Sequence, residues 1–218
     1  YVANLFLVVM LSYLAHRVRS QRLVMAFAFL SMVLLAAFRH YSVGTDTRDY
    51  VIIFDRISSM PLHDALTLNL EPGFIVLNWA VSALSTEFYV LLAAIAVIVV
   101  GSYQRIIVKY AVNYEIAFFV FITMGIYNFF FNGARQGIAA AIGAMGLQFI
   151  FEKRLVAYTL TICFASLFHQ TALILLPAYF LVNGLNSWRR NLVILVVGLV
   201  LALTFSSLMS VAASYEER

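Results

Sequence analysis

Three short polar segments interrupt this otherwise apolar chain, and each carries residue types suited to binding an anion or moving a proton. The first is Arg39-His40-Tyr41-Ser42-Val43-Gly44-Thr45-Asp46-Thr47-Arg48-Asp49-Tyr50. Gly44 permits a tight turn there, which presents Asp46 as a candidate base and Arg48 as a candidate anion contact. Arg39 fits either an anion site or a plain interfacial anchor, its stem snorkelling and its neighbouring tyrosines at headgroup depth. The second segment is Asn132-Gly133-Ala134-Arg135-Gln136-Gly137. Where it opens a helix, Arg135 and Gln136 stand beside free backbone N–H groups and the positive end of the helix dipole. That is a setting for a polyanion such as pyrophosphate. The third is Leu167-Phe168-His169-Gln170-Thr171, with Pro177 beyond it. An ionisable residue costs roughly 2.5–3.5 kcal/mol or more in hydrocarbon. His169 is therefore a candidate base, with a neutral histidine hydrogen-bonded between helices as the plainer alternative.

Other chemistries lack their residues. No His-x-x-x-His, Glu-x-x-His or Asp-x-Asp spacing occurs, so neither a metal nor another cofactor is expected. There is no Gly-x-Ser-x-Gly elbow and no glycine-rich phosphate loop. Cys163 is the sole cysteine, which excludes a disulfide framework and any multi-cysteine metal site.

The elements that must position these residues are membrane helices. Of 218 residues, 64% are hydrophobic and 11% charged, against about 45–50% and about 25% in soluble domains. Mean hydropathy is +0.95, so the expected fold class is all-α: a polytopic transmembrane helical bundle of about 7–9 membrane segments, in one integral domain. Candidate spans are Tyr1–Ala15, Leu23–Phe38, Phe88–Gly101, Glu115–Phe131, Ala134–Phe151 and Asn191–Ala213. Gly73–Leu84 is too short to cross comfortably and reads as re-entrant or interfacial, with a full crossing as the rival topology. Leu155–Val182 is long for one pass and short for two, and reads as a hairpin broken near His169. The stretch Arg39–Glu71 reads as one long outer loop, and loops of that length are usually functional. Small residues at Gly133, Gly137 and Ala141, and at Ala139 and Gly143, make faces for close helix packing.

The net charge of +4 lies in clusters between apolar runs, which is a topology signal rather than a nucleic-acid surface. Arg17/Arg19/Arg22, Arg105/Lys109, Lys153/Arg154 and Arg189/Arg190 all fall on the cytoplasmic side if Gly73–Leu84 returns and Leu155–Val182 turns back. Nine of the fourteen Lys and Arg are then inside, and the three polar segments open on the outer face.

Four motifs together resemble the EpsG family, multi-spanning bacterial proteins grouped with the Wzy-type polymerases of exopolysaccharide, capsule and O-antigen synthesis. They are Arg39 to Asp46 followed by Tyr50, Glu71-Pro72-Gly73-Phe74, Arg135-Gln136-x-Ile138-Ala139, and Phe168-His169-Gln170-Thr171-Ala172-Leu173, departing only at His40 and Gln170. The family's usual length implies further helices after Ala213. The resemblance implies a metal-independent glycosyltransferase of the bacterial cytoplasmic (inner) membrane, working at its outer face on a polyprenyl-pyrophosphate-linked glycan. It would join undecaprenyl-pyrophosphate-linked repeat units beside other polysaccharide-assembly proteins, with the lipid bilayer as its other partner. Arg135, Arg39 and Arg48, with Gln136 and Glu71, form the expected pyrophosphate and substrate contacts, and His169 or Asp46 the base. Two rivals from other classes are a polysaccharide or lipid-linked sugar transporter and a membrane O-acyltransferase. The first should show polar residues on both faces of a cavity. The second needs an inner acyl-CoA entry, which no polar motif marks.

Overall fold

Apolar runs of this kind fold as helices because hydrocarbon offers no partner to a free backbone N–H or C=O, so each segment must satisfy its own. The computed structural model describes residues 1–18, 20–184, 188–189 and 191–196, with no strand among them. The chain divides into two compact units, Tyr1–Leu176 and Pro177–Arg218. The first contains α1 (Val2–Ala15), α2 (Gln21–Ala37), α3 (Thr47–Ser58), α4 (Leu62–Ala65), α5 (Pro72–Ser82), α6 (Phe88–Tyr110), α7 (Tyr114–Thr123), α8 (Ile126–Asn132), α9 (Ala134–Met145), α10 (Leu147–Phe151), α11 (Leu155–Ser166) and a 3-10 helix, Gln170–Leu175. The second contains α12 (Ala178–Asn183) and helical residues 191–196. The rest of the expected span Asn191–Ala213, and Arg19 and Arg190 of the basic clusters, lie outside the described residues.

Within the first unit the long elements run up and down between two chemically different ends. At one end Tyr1 packs near Phe131, and Phe38 near Tyr89. At the other, His16 stacks on Tyr114 and Tyr110 meets Phe151. The second end is basic: it gathers Arg17, Arg22, Arg105, Lys109, Lys153 and Arg154, and Lys109 pairs there with Glu152. Both ends of α5 connect at the first end, since Glu71 lies beside Arg135 and α6 starts beside Phe38. Its 11 residues rise only about 16 Å, short of the roughly 30 Å of a bilayer's hydrocarbon core. The chain also turns at His169, and the carbonyl of Leu175 comes back to accept the Tyr158 hydroxyl on α11. That is the hairpin expected of Leu155–Val182, as far as Leu175.

Among the described residues, two segments are long and apolar enough to cross a membrane, Phe88–Tyr110 and Tyr114–Asn132; the other apolar helices described are shorter. Outward faces support a lipid surround. Leu23, Phe27, Leu30 and Leu34 are all exposed along one stripe of α2, and Val156, Leu160 and Phe164 along α11. Each such side chain left in water would forgo about 1.5–3 kcal/mol, and a helix apolar on its outer face as well as its inner one belongs in lipid.

The expected long loop Arg39–Glu71 is instead largely helical, as α3 and α4. The reason is a stripe hidden among its charges. Thr47, Tyr50, Phe54 and Ile57 recur at three- and four-residue steps and are buried, while Arg48, Asp49, Asp55 and Arg56 face outward. Tyr50 packs edge-on against Phe74 of α5. Two expected continuous spans are also broken: Glu115–Phe131 at Gly125, which adopts positive φ, and Ala134–Phe151 at Gly146. Of the small residues on α9, Gly137, Ala139, Ala141 and Gly143 are buried, so α9 packs closely between α6 and α11.

Candidate active site

The N-terminus of α9 is braced by the first turn of α3 and the residues leading into it. Asn132-Gly133 ends α8 and reverses the chain, and the hydroxyl of Tyr50 bridges the break. It donates to the Asn132 carbonyl at 3.0 Å and accepts from the Ala134 amide at 2.9 Å. The Thr45 amide donates to Asn132 Oδ1 at 2.8 Å, and Thr47 Oγ1 lies 3.2 Å from the Phe131 carbonyl. Gly44 makes this contact possible: its φ is +94°, and a Cβ there would stand 2.5 Å from the Phe131 carbonyl oxygen. The first amide of α9 is therefore occupied by Tyr50, which corrects the expectation of a wholly open helix terminus.

Glu71 approaches from a second direction. It holds the N-cap position of α5 in an extended conformation, with Pro72 supplying a helix-ready φ at the first position. The amide of Gly73 donates to the Leu167 carbonyl at 2.8 Å, and a Cβ on Gly73 would fall 2.8 Å from that same oxygen. Glycine thus lets α5 lie directly against the end of α11, where the chain turns into His169. The result is a carboxylate between two cation-forming groups. Glu71 Oε2 lies 2.5 Å from Arg135 Nη1, and Oε1 lies 2.9 Å from His169 Nδ1.

Electrostatics fix the state of this group. Burial pushes the Glu71 carboxyl upward, but the hydrogen bonds from Arg135, from its own backbone region and from His169 outweigh it, and the group titrates below the ordinary carboxylate range. An ionised carboxylate only accepts hydrogen bonds, so Nδ1 of His169 must carry a proton. In the neutral ring, Nε2 then holds a free lone pair. Side-chain exposure grades outward, from 13% at Glu71 to 27% at His169 and 34% at Arg135. The carboxylate is sheltered while its two partners can meet a ligand.

The other expected residues are placed differently. Arg39 is 4% exposed. It donates to the Ala36 carbonyl at 2.7 Å, lies 3.5 Å from Thr47 Oγ1, and its guanidinium covers the Phe131 ring at 4.4 Å. Burial lowers its pKa to about 10 despite the nearby tyrosines, so it stays charged at neutral pH. Asp46 stands at the N-cap position of α3 without a side-chain capping bond and accepts from Thr45 Oγ1 at 2.9 Å. Arg48 and Gln136 are exposed. No group of three or more His, Cys, Asp or Glu converges among the described residues. Tyr50, Thr45 and Asn132 position the site without having been singled out for that role in the sequence; their signal was Tyr50 lying three residues beyond Thr47 on a buried stripe.

The sequence profile of the EpsG family matches residues 22–216, and all four motifs of the site lie inside that range. The chain belongs to the EpsG family. No curated relative and no solved structure matches it. EpsG membership is consistent with a glycosyltransferase-like polysaccharide polymerase in a membrane. In this EpsG protein three of the four motifs converge as Glu71, Arg135 and His169, and the remaining one supplies the Tyr50 and Thr45 contacts behind them.

Proposed function

We propose that this EpsG-family protein is a Wzy-type polymerase that joins undecaprenyl-pyrophosphate-linked repeat units at the outer face of the bacterial cytoplasmic membrane. The observation that carries the reading is the Glu71 carboxylate held between Arg135 and His169. In the reaction, the terminal hydroxyl oxygen of one lipid-linked unit bonds to the anomeric carbon of the donor glycan. The bond from that carbon to the pyrophosphate oxygen breaks, and the hydroxyl proton passes to a base. His169 Nε2 serves as that base. Glu71 keeps the ring in the right tautomer and stabilises the imidazolium that forms. Arg135 gives one donor to Glu71 and lies within reach of the Tyr50 hydroxyl, and its outer donors meet the pyrophosphate as it gains charge. Asp46 is the competing base. Arg48 and Gln136, both exposed, meet the substrate at its rim, and Arg39 holds the floor of the site by its contacts to Thr47 and Phe131.

In this reading the chain is one integral domain of seven to nine membrane segments, with its basic end toward the cytoplasm. The activated donor supplies the driving force, and the apolar surround holds the polyprenyl tails. The cluster of Glu71, Arg135 and His169 lies at one end of the unit, which favours a one-sided active site over a transporter cavity. The test supplies the full-length protein in proteoliposomes with a defined undecaprenyl-pyrophosphate-linked repeat unit. A ladder of longer lipid-linked glycans is expected. Movement of unaltered units across the bilayer, or formation of acyl esters, would overturn the assignment.

A further inference from the structure

The largest cavity among those described lies at the opposite end of the first unit, far from His169. It opens between α2 and α6, encloses about 650 Å³ and is lined at its basic rim by Arg22, Arg105 and Lys109. That volume falls within the roughly 300–1,000 Å³ of small-molecule sites. Behind the rim its walls are apolar, formed by Met25, Ala26 and Phe29. From Arg22 to Phe29 the groove follows α2 for about 10 Å, two helical turns. Gly101 keeps it open, since the nearest atom to a Cβ there would be a Phe29 ring carbon at 3.6 Å.

Two of the three charges at the rim lack an acidic partner among the described residues. Lys109 pairs with Glu152 at 3.7 Å, but neither Arg22 nor Arg105 has an acidic partner among the described residues, and both are exposed. Gln104 lines the same cavity. Its Nε2 donates to the Met25 carbonyl at 3.1 Å, which leaves Oε1 buried with no donor from the protein. Flanking the groove, Leu23 and Phe27 are exposed apolar residues, so its surroundings are lipid-facing. A ligand that fits has an anionic head for two or three cations, a hydroxyl to donate nearby and an apolar tail running along the helices.

We infer that this groove binds an anionic glycerophospholipid, its phosphate on Arg22 and Arg105 and the first part of an acyl chain along Met25, Ala26 and Phe29. Cationic pockets between membrane helices on the cytoplasmic side recognise such headgroups, each cation adding to the attraction. The site is independent of the polymerase reading, because none of its residues belongs to the Glu71 cluster.

The experiment uses the full-length protein in detergent and counts phosphatidylglycerol adducts by native mass spectrometry. Phosphatidylethanolamine, undecaprenyl phosphate and acyl-CoA are titrated in parallel. Phosphatidylglycerol is expected to be retained in preference to the zwitterionic lipid. Arg22→Gln with Arg105→Gln should weaken its binding at least tenfold, and Gly101→Leu should exclude it by filling the groove while leaving the charges. Thermal unfolding of each variant checks that it is folded. The inference is overturned if the folded charge variant binds phosphatidylglycerol as the parent does. Preferential retention of undecaprenyl phosphate or acyl-CoA by the parent would equally overturn it, by assigning the groove to another ligand.

Discussion

A carboxylate shared by an arginine and a histidine changes what each of the three residues does. Glu71 sets the histidine tautomer and holds one edge of the guanidinium, so losing it should harm both the base and the anion contact. In the reconstituted assay, His169→Ala should lower chain extension about 10²–10⁴-fold while donor binding persists, whereas Asp46→Asn should leave most activity. The reverse result would move the base to Asp46. Arg135→Lys keeps charge without the planar fork and should restore only part of what Arg135→Ala removes. Glu71 also makes a prediction about acid. Its folded pKa is depressed, so its stabilisation is complete above the unfolded carboxylate value of about 4.3 and is lost as pH falls through the lower folded value. Glu71→Gln should cost about 1–3 kcal/mol at neutral pH, and its melting temperature should converge with that of the parent below about pH 4. A gap that stays constant into acid would mean the carboxylate charge contributes nothing. Arg135 and His169 were legible in the sequence because polar residues are costly between apolar runs. Glu71 was expected as a substrate contact through the family resemblance, but its pairing with both was not legible, because 64 and 98 residues separate it from the groups it joins and no spacing rule reaches that far.

At the level of elements, legibility followed periodicity. Long apolar runs announced α2, α6 and α11. The helix α3 was hidden because its charges dominate the composition of residues 39–71, although Thr47, Tyr50, Phe54 and Ile57 mark one face. The breaks at Gly125 and Gly146 were also invisible, since a glycine within an apolar run has the same hydropathy whether the helix continues or stops. The short apolar run of Gly73–Leu84 did announce a helix, α5. What holds it is the Gly73 amide on the Leu167 carbonyl. Gly73→Ala must push its Cβ against that oxygen or separate the two elements, so a destabilisation of about 1–3 kcal/mol is expected, together with loss of chain extension. Gly133→Ala meets only the Phe129 ring at 3.5 Å and should be nearly silent. Equal melting temperatures for the two variants would show that α5 does not depend on this approach.

For the whole molecule, the separation of a basic end from the end bearing His169 gives a test of sidedness. With Cys163, which is exposed, replaced by alanine, a cysteine at Ser58 should react with a membrane-impermeant thiol reagent added to spheroplasts. One at Ser20 or Lys153 should react only after lysis. Labelling in the opposite order would turn the site toward the cytoplasm. The same architecture bears on how the protein is made. Glu71 leaves the ribosome 98 residues before His169, which at about 5–20 residues per second is on the order of 5–20 s. Throughout that interval α5 sits at the membrane with its first amides and its carboxylate lacking the partners that α9 and α11 later bring. A nascent chain stalled between those points is a natural substrate for membrane quality control, and slow codons placed before Leu167 should lower the yield of intact protein more than the same codons placed after Leu176.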